Sequence, residues 1–369
     1  MLVPRPALPE EGRRIAFLCG CAEPARDGVG DYTALLAAEC ARRGNATLLV
    51  ALNDPHVNGA AECEGMLRLG AGMRWEERVE QARECARRFA PDVVSLQWVP
   101  YGFHQRGVPW GIEKGLEKIA GGRAVHLMCH EIWIGAEQGA SLRHRLTGAA
   151  QRAVLRRVTR TLKPVCVQTS NAVYAALLRR AGMDAAVLPM YGAIPVTGAE
   201  AAREECVVRI GMFGTLHPAW PPEPLLERLR GLGSRIGIEH IGHMGAGEGV
   251  WRAMERRYAG EYQFTRHGEQ PPERVSRFLR EMDFGLATTP RALIGKSATA
   301  TAMLEHGLPV IVNRDDARYA GVDAGERPDG VIVMDENLIA SMRAASRREP
   351  RWRLPEVADQ FLASLRRQR

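Results

Sequence analysis

The chain has 369 residues, of which 46% are hydrophobic and 25% are charged. This composition is typical of a soluble globular protein, and the length allows two domains of ordinary size. The first residues, MLVPRPALPEEGRR, contain no apolar segment of the kind found in export signals. The sequence also lacks the run of about 18 uncharged apolar residues that a membrane-spanning helix needs. We therefore expect a cytoplasmic protein that is neither exported nor inserted in a membrane.

The charge and the cysteines limit the partners further. A net charge of +7 agrees with an anionic ligand, an anionic membrane surface or nucleic acid as partner. The cations are scattered among acidic residues and are not interleaved with aromatic side chains, so we do not expect nucleic-acid binding. The eight cysteines lie between Cys19 and Cys206 without a CxxC pair. This favours reduced, buried thiols over disulfides or a zinc site.

Strand and helix patterns alternate through the first half of the chain. Apolar runs predict strands at 14–20, 46–52, 92–98, 123–129, 165–169 and 186–192. Helical spacing predicts helices at 31–43, 75–89, 142–162 and 171–181, the last of them capped by Ser170. Pro195, Thr197 and Gly198 then predict a linker.

The alternation resumes in the second half. Strands are predicted at 207–214, 236–241, 261–265, 284–290 and 310–312, with helices at 223–232, 250–258, 273–282 and 298–305. Residues 352–369 predict a final helix whose apolar side has no partner in this second set of elements. We expect it to pack on the first domain. The expected division is 1–195, 196–350 and a tail of 351–369.

A glycine-rich turn, Gly28-Val-Gly30-Asp31, precedes the first long helix. Position 33 is Thr33, so the third glycine of the GxGxxG dinucleotide fingerprint is absent. Two interpretations stay open for this turn. It is either a tight turn without a ligand or a place where the backbone approaches a ligand closely.

Aromatic side chains gather in the loop after the strand at 92–98. Trp98, Tyr101, Phe103 and Trp110 either anchor this loop in the core or form a wall for a sugar ring or an acyl chain. His130 stands at the carboxyl end of the next strand, where it is either packed in the core or part of a site. The helix at 142–162 carries arginines beside its apolar stripe. That basic side is either solvated or lies on anionic lipid, through residues 143–163.

The stretch Gly295–Val312 combines a loop, a helix and a buried strand. Its helix start follows a strand, where unpaired amides and a partial positive charge suit a phosphate. Lys296 lies at this point and is the only lysine after residue 163. The alternative is an ordinary surface lysine. A P-loop is excluded because Pro290 stands where its first glycine would be. His240 and His243 have no third ligand nearby, so no metal site is expected.

Taken in order, these segments resemble the GT-B glycosyltransferases, in particular the retaining family 4 enzymes. GVGDYTALLAAECARRG is similar to that family's glycine loop and first helix, and VQTSNAVYAALLRRAG to its capped helix. RIGMFGTL is similar to its "FxGRL" strand, and HGEQPPERVSRFLREMDFGLATTP and MLEHGLPVIV to its later motifs. The resemblance implies an α/β fold of the GT-B class. It has two Rossmann-like doubly wound domains, a cleft between them and a C-terminal helix that crosses back.

The resemblance also implies a function. We expect a retaining, metal-independent glycosyltransferase without a cofactor that moves a sugar from a nucleoside diphosphate sugar to a glycan or glycoconjugate acceptor. His130 would contact the donor sugar as the catalytic residue, outside the core, and the base would lie near Gly268 and Glu269. The diphosphate would lie among Gly214, Thr215, Lys296, Ser297, Thr299 and the amides of this helix start. Gly28, Gly30 and Asp31 would lie beneath the phosphates and acceptor, and Trp98, Tyr101 and Phe103 would form the acceptor wall.

Two family motifs are missing. The carboxylates of its EX7E motif align with Ile294 and Ala302, and its cation pair aligns with Thr215 and the segment HPAWP. Arg266 or Arg291 would then supplement Lys296 at the phosphates. Two alternatives stay open. One is a catalytically silent GT-B module that binds a nucleotide or a partner, and the other is a peripheral membrane enzyme with a lipid-linked acceptor, docked through residues 143–163 at the inner membrane face.

Overall fold

The chain forms two α/β units. The computed structural model describes residues 12–198, 207–323, 325 and 327–366. The first unit ends at Pro189 and resumes at Leu354, and the second spans Met190–Arg353. The sequence placed the linker a few residues later, at 195.

A mainly parallel sheet forms the centre of the first unit. Its strands within the described residues are β1 Arg14–Cys19, β2 Ala46–Asp54, β3 Ala60–Cys63, β4 Met66–Gly70, β5 Val93–Trp98, β6 Ala124–Cys129, β7 Cys166–Thr169 and β8 Ala185–Val187. The order in the sheet is β3-β4-β2-β1-β5-β6-β7-β8, and only the β3–β4 hairpin pairs antiparallel. The central strands β1 and β5 are buried almost throughout, as expected of parallel strands covered on both faces.

Helices cover this sheet. Within the described part of the first unit they are α1 Gly28–Arg42, α2 Trp75–Phe89, α3 Pro100–Phe103, α4 Ile112–Ala120, α5 Leu142–Leu162, α6 Ala172–Arg180 and α12 Leu354–Arg366. The expected cap Ser170 is wrong by one residue. Asn171 caps α6 because its side chain accepts the amide of Tyr174 at 2.9 Å.

The tail helix α12 packs against α1 and the sheet of the first unit. Phe361 has 0% of its surface exposed. Its ring centroid lies 5.7 Å from that of Phe17 and 5.0 Å from that of His126. Arg43 on the far end of α1 donates to Asp359 at 2.6 Å and to the Pro355 carbonyl at 2.7 Å. The apolar side of the tail is therefore part of this core.

The second unit has a wholly parallel sheet. Its strands within the described residues are β9 Val207–Phe213, β10 Arg235–Ile241, β11 Gln263–Gly268, β12 Phe284–Ala287, β13 Val310–Val312 and β14 Val331–Val333. Its helices there are α7 Glu223–Leu229, α8 Glu248–Tyr258, α9 Pro272–Glu281, α10 Ala298–Glu305 and α11 Leu338–Ala344. The strand order in the sheet is β11-β10-β9-β12-β13-β14. Successive strands are added on one side of β9 up to β11 and on its other side from β12 onward, so the topological switch point lies between β9 and β12. Ligands of such sheets bind outside the carboxyl ends of the strands at this switch point.

A buried carboxyl on α10 fixes both ends of the second unit. Glu305 is 3% exposed, and it accepts the amide of Gly192 at 3.0 Å and that of Arg353 at 3.1 Å. Gly192 approaches so closely that a Cβ would lie 2.7 Å from the Glu305 carboxyl. Burial raises the pKa of Glu305 to about 8, although both amide bonds act in the opposite direction.

Phe361→Ala tests the packing of the tail. Removing a fully buried aromatic ring lowers the free energy of unfolding by on the order of 3–5 kcal/mol. The variant should therefore unfold at a clearly lower urea concentration than the wild type. Gln360→Ala, on the exposed side of the same helix, is the matched control. Equal unfolding free energies for the two variants would contradict the packing described for α12.

Glu305 should make stability depend on pH. In the unfolded chain its carboxyl ionises near pH ~4.3, whereas the folded pKa is raised to about 8. Stability from the protonated group is therefore complete below pH ~4.3 and is lost as the pH rises through about 8. Glu305→Gln cannot ionise. Relative to this variant, the wild type should lose a few kcal/mol, order of magnitude, between pH ~5 and pH ~8 in urea unfolding. A difference that stays constant with pH would contradict the raised pKa.

Candidate functional site

Three neighbouring strands of the second unit end in glycine turns. Gly214, Gly242 and Gly268 have φ angles of 73°, 97° and 66°, a region that other residues adopt only with strain. The amide of Gly214 donates to the Ile241 carbonyl at 2.9 Å, and that of Gly242 to the Gly268 carbonyl at 2.7 Å. These bonds hold bare backbone together along the carboxyl edge of β9, β10 and β11.

His240 supports the first of these turns. It is 0% exposed, and its Nε2 lies 2.7 Å from the Gly214 carbonyl. A carbonyl only accepts, so Nε2 carries the proton. Burial lowers the pKa of His240 to about 4, which keeps the ring neutral. This histidine therefore positions the Gly214 turn.

The start of α10 meets the Gly214 turn. A Cβ on Gly214 would lie 2.8 Å from Cγ2 of Thr299. Ser297 caps the helix by accepting the amide of Ala300 at 3.2 Å, and its own amide donates to the preceding turn at 3.0 Å. The expected role of the Ser297 amide is thus corrected, because that amide is already bonded. The first turn of a helix leaves its leading amides unpaired, which here are those of Ala298 and Thr299.

Two cations lie beside this helix start. Arg314 follows β13, is 8% exposed, and donates to Asp316 at 2.9 and 2.6 Å. The amide of His217, which follows β9, donates to Thr288, which follows β12, at 3.1 Å. Burial lowers the pKa of His217, and the charges of Arg314 and Lys296 lower it further. Arg314 also donates to the Thr288 carbonyl at 3.4 Å, so Arg314 and His217 meet at Thr288, at the switch point of the sheet.

Sequence reasoning missed Arg314. The pattern that could have indicated it is a charged residue just after the buried strand Val310–Val312, at the end of the sheet where ligands bind. The cations named instead are bonded to acids at the surface. Arg266 donates to Glu248 at 3.0 Å, and Arg291 donates to Asp315 at 2.9 Å. Arg314 is also bonded to an acid, Asp316, but it is itself buried at the carboxyl end of β13, so it is the better supplement to Lys296.

The residues expected at the nucleotide base lie farther along the same edge. Gly268 ends β11, which is separated from β9 by β10. Glu269 follows it with its side chain 62% exposed, and its carboxylate lies 3.5 Å from Nδ1 of His243. Thr215 adjoins the glycine turns, since a Cβ on Gly245 would lie 2.9 Å from its Cγ2. The structure thus brings Gly214, Thr215 and Thr299 together and leaves Gly268 and Glu269 beside them.

In the first unit, His130 is buried. It follows β6 with 5% of its surface exposed, and its ring packs edge-on against Tyr32 at 4.6 Å. Its Nε2 lies 2.8 Å from Oε1 of Gln97 on β5. The expected position outside the core is therefore wrong.

A chain of hydrogen bonds under His130 sets its tautomer. The Gln97 amide donates to Ser95 Oγ at 2.7 Å, which turns Oε1 of Gln97 toward His130 as an acceptor. Ser95 Oγ lies 2.9 Å from Nδ1 of His126, whose Nε2 lies 2.9 Å from Oε1 of Gln168. Burial lowers the pKa of His126 to about 4, so this inner ring is neutral. His130 consequently carries a proton on Nε2.

The side chain of Asp27 accepts hydrogen bonds from the amides of the turn at Gly28 and Gly30. Asp27 caps α1 and accepts the amides of Val29 at 3.0 Å and Gly30 at 2.6 Å. Burial raises the pKa of Asp27, and the Asp54 and Glu131 charges act in the same direction. Gly30 is required for packing, since a Cβ there would lie 2.6 Å from the Cys21 carbonyl. The expected phosphate role of this turn is corrected, because a carboxylate already holds its amides.

Asp31 and the aromatic loop need a similar correction. Asp31 accepts the amide of Ala25 at 3.0 Å and so braces the turn. Trp98 is 0% exposed and stacks on Phe103 at 5.5 Å, so it cannot form part of an open wall. Tyr101 is 43% exposed and Trp110 is 58% exposed. These two, with Phe103, line a cavity of about 1130 Å³.

The helix expected to face a membrane has an unusual apolar stripe. Val154 and Val158 on α5 are fully buried, whereas Leu142 and Leu146 are 70% and 64% exposed. The apolar side of α5 is therefore exposed in the first turns of the helix and buried in its later turns. Of the helices that the structure describes, none is long and apolar enough to cross a bilayer. The described residues also contain no group of three His, Cys, Asp or Glu side chains placed to hold a metal.

The fold is shared with several solved structures, although no family model and no curated protein matches the sequence. The catalytic domain of starch synthase IV from Arabidopsis thaliana, bound to ADP and acarbose, aligns with a TM-score of 0.57 at 12% identity over 97% of this chain and 99% of that one. AviGT4, a glycosyltransferase involved in avilamycin A biosynthesis, gives 0.55 at 15% over 96% and 98%. A UDP-N-acetylglucosamine 2-epimerase gives 0.53 at 12% over 97% and 98%. These similarities confirm the predicted GT-B fold.

The burial of His130 changes the expected effect of removing it. His130→Ala should lower the free energy of unfolding by about 1–3 kcal/mol, because the buried Oε1 of Gln97 loses its donor. The measurement is urea unfolding, with the exposed His56→Ala as control. An unfolding midpoint equal to that of the control would contradict the buried hydrogen bond.

Proposed function

We propose that the protein is a glycosyltransferase that transfers a sugar from a nucleoside diphosphate sugar to a glycan or glycoconjugate acceptor. The observation that carries this proposal is the meeting of the Gly214 turn with the first turn of α10, which directly follows Lys296. Arg314 is bonded to the carbonyl of Thr288 at the end of the neighbouring strand. Bare backbone, two amides and two cations at a switch point make a site for a diphosphate. The GT-B fold agrees with this use, but a fold alone does not assign a reaction.

The hydrogen-bond donors at this site suit a diphosphate. Lys296 supplies a compact ammonium and Arg314 a fork-shaped guanidinium, and the amides of Ala298 and Thr299 add two neutral donors. Asp316 neutralises part of Arg314, so the net positive charge is modest. An anion bound here would replace solvent around groups that are already fixed in place, which is the arrangement that stabilises developing negative charge.

We propose a retaining, metal-independent and cofactor-free reaction. In such a transfer the departing phosphate can deprotonate the acceptor hydroxyl, while fixed cations and amides stabilise its charge. His130 would contact the transferred sugar as the catalytic residue. Gly268 and Glu269 would lie near the base. Gly28, Gly30 and Asp31 would border the acceptor.

A second candidate is a catalytically silent module that binds a nucleotide. Ile294 and Ala302, which align with the family's two carboxylates, are 5% and 0% exposed apolar side chains. Glu305 lies one turn beyond Ala302, but its carboxyl is bonded to the amides of Gly192 and Arg353. It therefore does not replace the missing acids. Hydrolysis or transfer from a bound donor would support the enzyme, and its absence with intact binding would support the module.

Lys296→Ala tests the diphosphate site. A charge-assisted hydrogen bond contributes about 1.5–3 kcal/mol, so affinity for UDP or ADP should fall roughly tenfold to a hundredfold. Binding is measured by calorimetry at fixed salt, using whichever diphosphate binds the wild type. The uncharged nucleoside should bind both proteins equally. Arg291→Ala, which removes a cation bonded to Asp315, should leave diphosphate affinity near the wild-type value. Unchanged affinity in Lys296→Ala would remove this lysine from the site.

A further inference from the structure

The first unit contains a cavity that the diphosphate site does not use. It has a volume of about 1130 Å³, which is sufficient for a small ligand. Its walls come from the start of α2, the loop after β5 and the first turns of α5. The residues around it include Trp75, Arg78, Tyr101, Arg106, Trp110 and Arg143.

Arg78 is an inadequately compensated buried cation at this cavity. It is 9% exposed. Its Nη1 donates to the Leu52 carbonyl at 2.7 Å and to Asn53 at 2.6 Å. Its buried Nε has no hydrogen-bond partner, and no carboxylate among the described residues forms an ion pair with it. Burial lowers the pKa of Arg78 more than the nearby charge of Glu76 raises it. The guanidinium also lies 5.3 Å from the ring centroid of Trp75, but a buried charge without a bonded carboxylate is costly. The protein therefore retains a charge here that an anion would neutralise.

Other groups on the cavity carry the same sign. Arg106 and Arg143 also line it, and neither forms an ion pair within the described part of the chain. The one acid on its wall, Glu76, lies 3.9 Å from Arg74. Three arginines therefore face one partly neutralised carboxylate. A dianion such as a phosphate matches this excess better than a single carboxylate does.

His104 adds a directed donor. Its Nδ1 accepts the amides of Arg106 at 3.2 Å and Val108 at 3.4 Å. The proton of the neutral ring is therefore on Nε2, which is available to donate. The loop after β5 thus contributes both charge and a hydrogen-bond donor.

The remaining wall is apolar and aromatic. Tyr101 and Trp110 stand at 43% and 58% exposure, and Phe103 lies behind them. Gly107 permits Tyr101 to close over the loop, since a Cβ there would lie 2.8 Å from its ring. Exposed rings beside arginines suit a ligand with an anionic group and a ring or hydrocarbon face.

We infer that this cavity binds a phosphate-bearing molecule, with the phosphate near Arg78, Arg106 and Arg143 and an apolar or sugar-ring face on Tyr101 and Trp110. The identification of this molecule as the acceptor rests on the proposed function, whereas its binding does not. Its phosphate comes either from a soluble sugar phosphate or from a lipid headgroup.

Binding of phenyl phosphate, followed by calorimetry at fixed salt, tests the site. The wild type should bind it saturably and more tightly than inorganic phosphate. Arg143→Ala should weaken binding roughly tenfold or more through loss of a charge-assisted contact. Arg160→Ala, an exposed cation farther along the same helix, is the matched control and should bind as the wild type does. Tyr101→Ala should weaken phenyl phosphate and leave inorganic phosphate unchanged.

Arg78→Met removes the buried charge while keeping an unbranched side chain of similar length, and it should also weaken phenyl phosphate. If this variant does not fold, Arg143→Ala and Tyr101→Ala still decide the matter. No saturable binding by the wild type, or equal binding by Arg143→Ala and Arg160→Ala, would overturn the inference.

Two further comparisons separate this site from the diphosphate site and identify the source of the phosphate. Lys296→Ala should bind phenyl phosphate normally, and Arg143→Ala should bind the nucleoside diphosphate normally. Failure of one site would then leave the other intact. Competition by glucose 6-phosphate supports a soluble ligand. Arg143-dependent binding to phosphatidylcholine vesicles that contain phosphatidic acid, absent without it, supports a lipid. If glucose 6-phosphate does not compete with phenyl phosphate and the phosphatidic acid vesicles are not bound through Arg143, the cavity is not a site for biological phosphates and the inference is overturned.

Discussion

The close approach of Gly214 to Thr299 is the contact on which the proposed diphosphate site of the second unit depends. A side chain at 214 would collide with the first turn of α10, and the φ of 73° is one that glycine adopts freely. Because the turn is bare, the amides of the helix start remain accessible. His240 fixes the turn from below through the Gly214 carbonyl. Sheet, turn and helix are thus set before any ligand arrives, which is the condition for electrostatic preorganisation.

The same geometry would allow the proposed diphosphate site to form without the cation pair of the retaining family 4 motif. In a parallel sheet all carboxyl ends meet at one edge, so a charge can be supplied from a different strand. Lys296 comes after β12 and Arg314 after β13, and both act on His217 after β9. A bound phosphate would respond to the position of a charge in space, whichever strand supplies it. A motif search along the sequence cannot see this.

Much of the fold could be predicted because long periodic segments carry their own signal. The helices Trp75–Phe89 and Ala298–Glu305 have the bounds that their spacing predicts. The hairpin of β3 and β4 was missed because its strands are short and β3 is exposed. The site was less predictable. Whether His130 is buried depends on Gln97, thirty-three positions away, and such distances along the chain leave no local pattern.

The two units differ in the charge of the residue that caps the helix after their glycine-rich turn, and this difference is visible only in the structure. Both have a glycine-rich turn before a helix, and the sequence assigned phosphate to each. In the first unit Asp27 holds the turn's amides, so an approaching phosphate would meet a carboxylate. In the second unit Ser297, a neutral cap, takes one amide and leaves the others. The identity of the capping residue would therefore decide which helix start can receive an anion. In the first unit the proposed phosphate site lies instead at Arg78, whose buried Nε has no hydrogen-bond partner among the described residues.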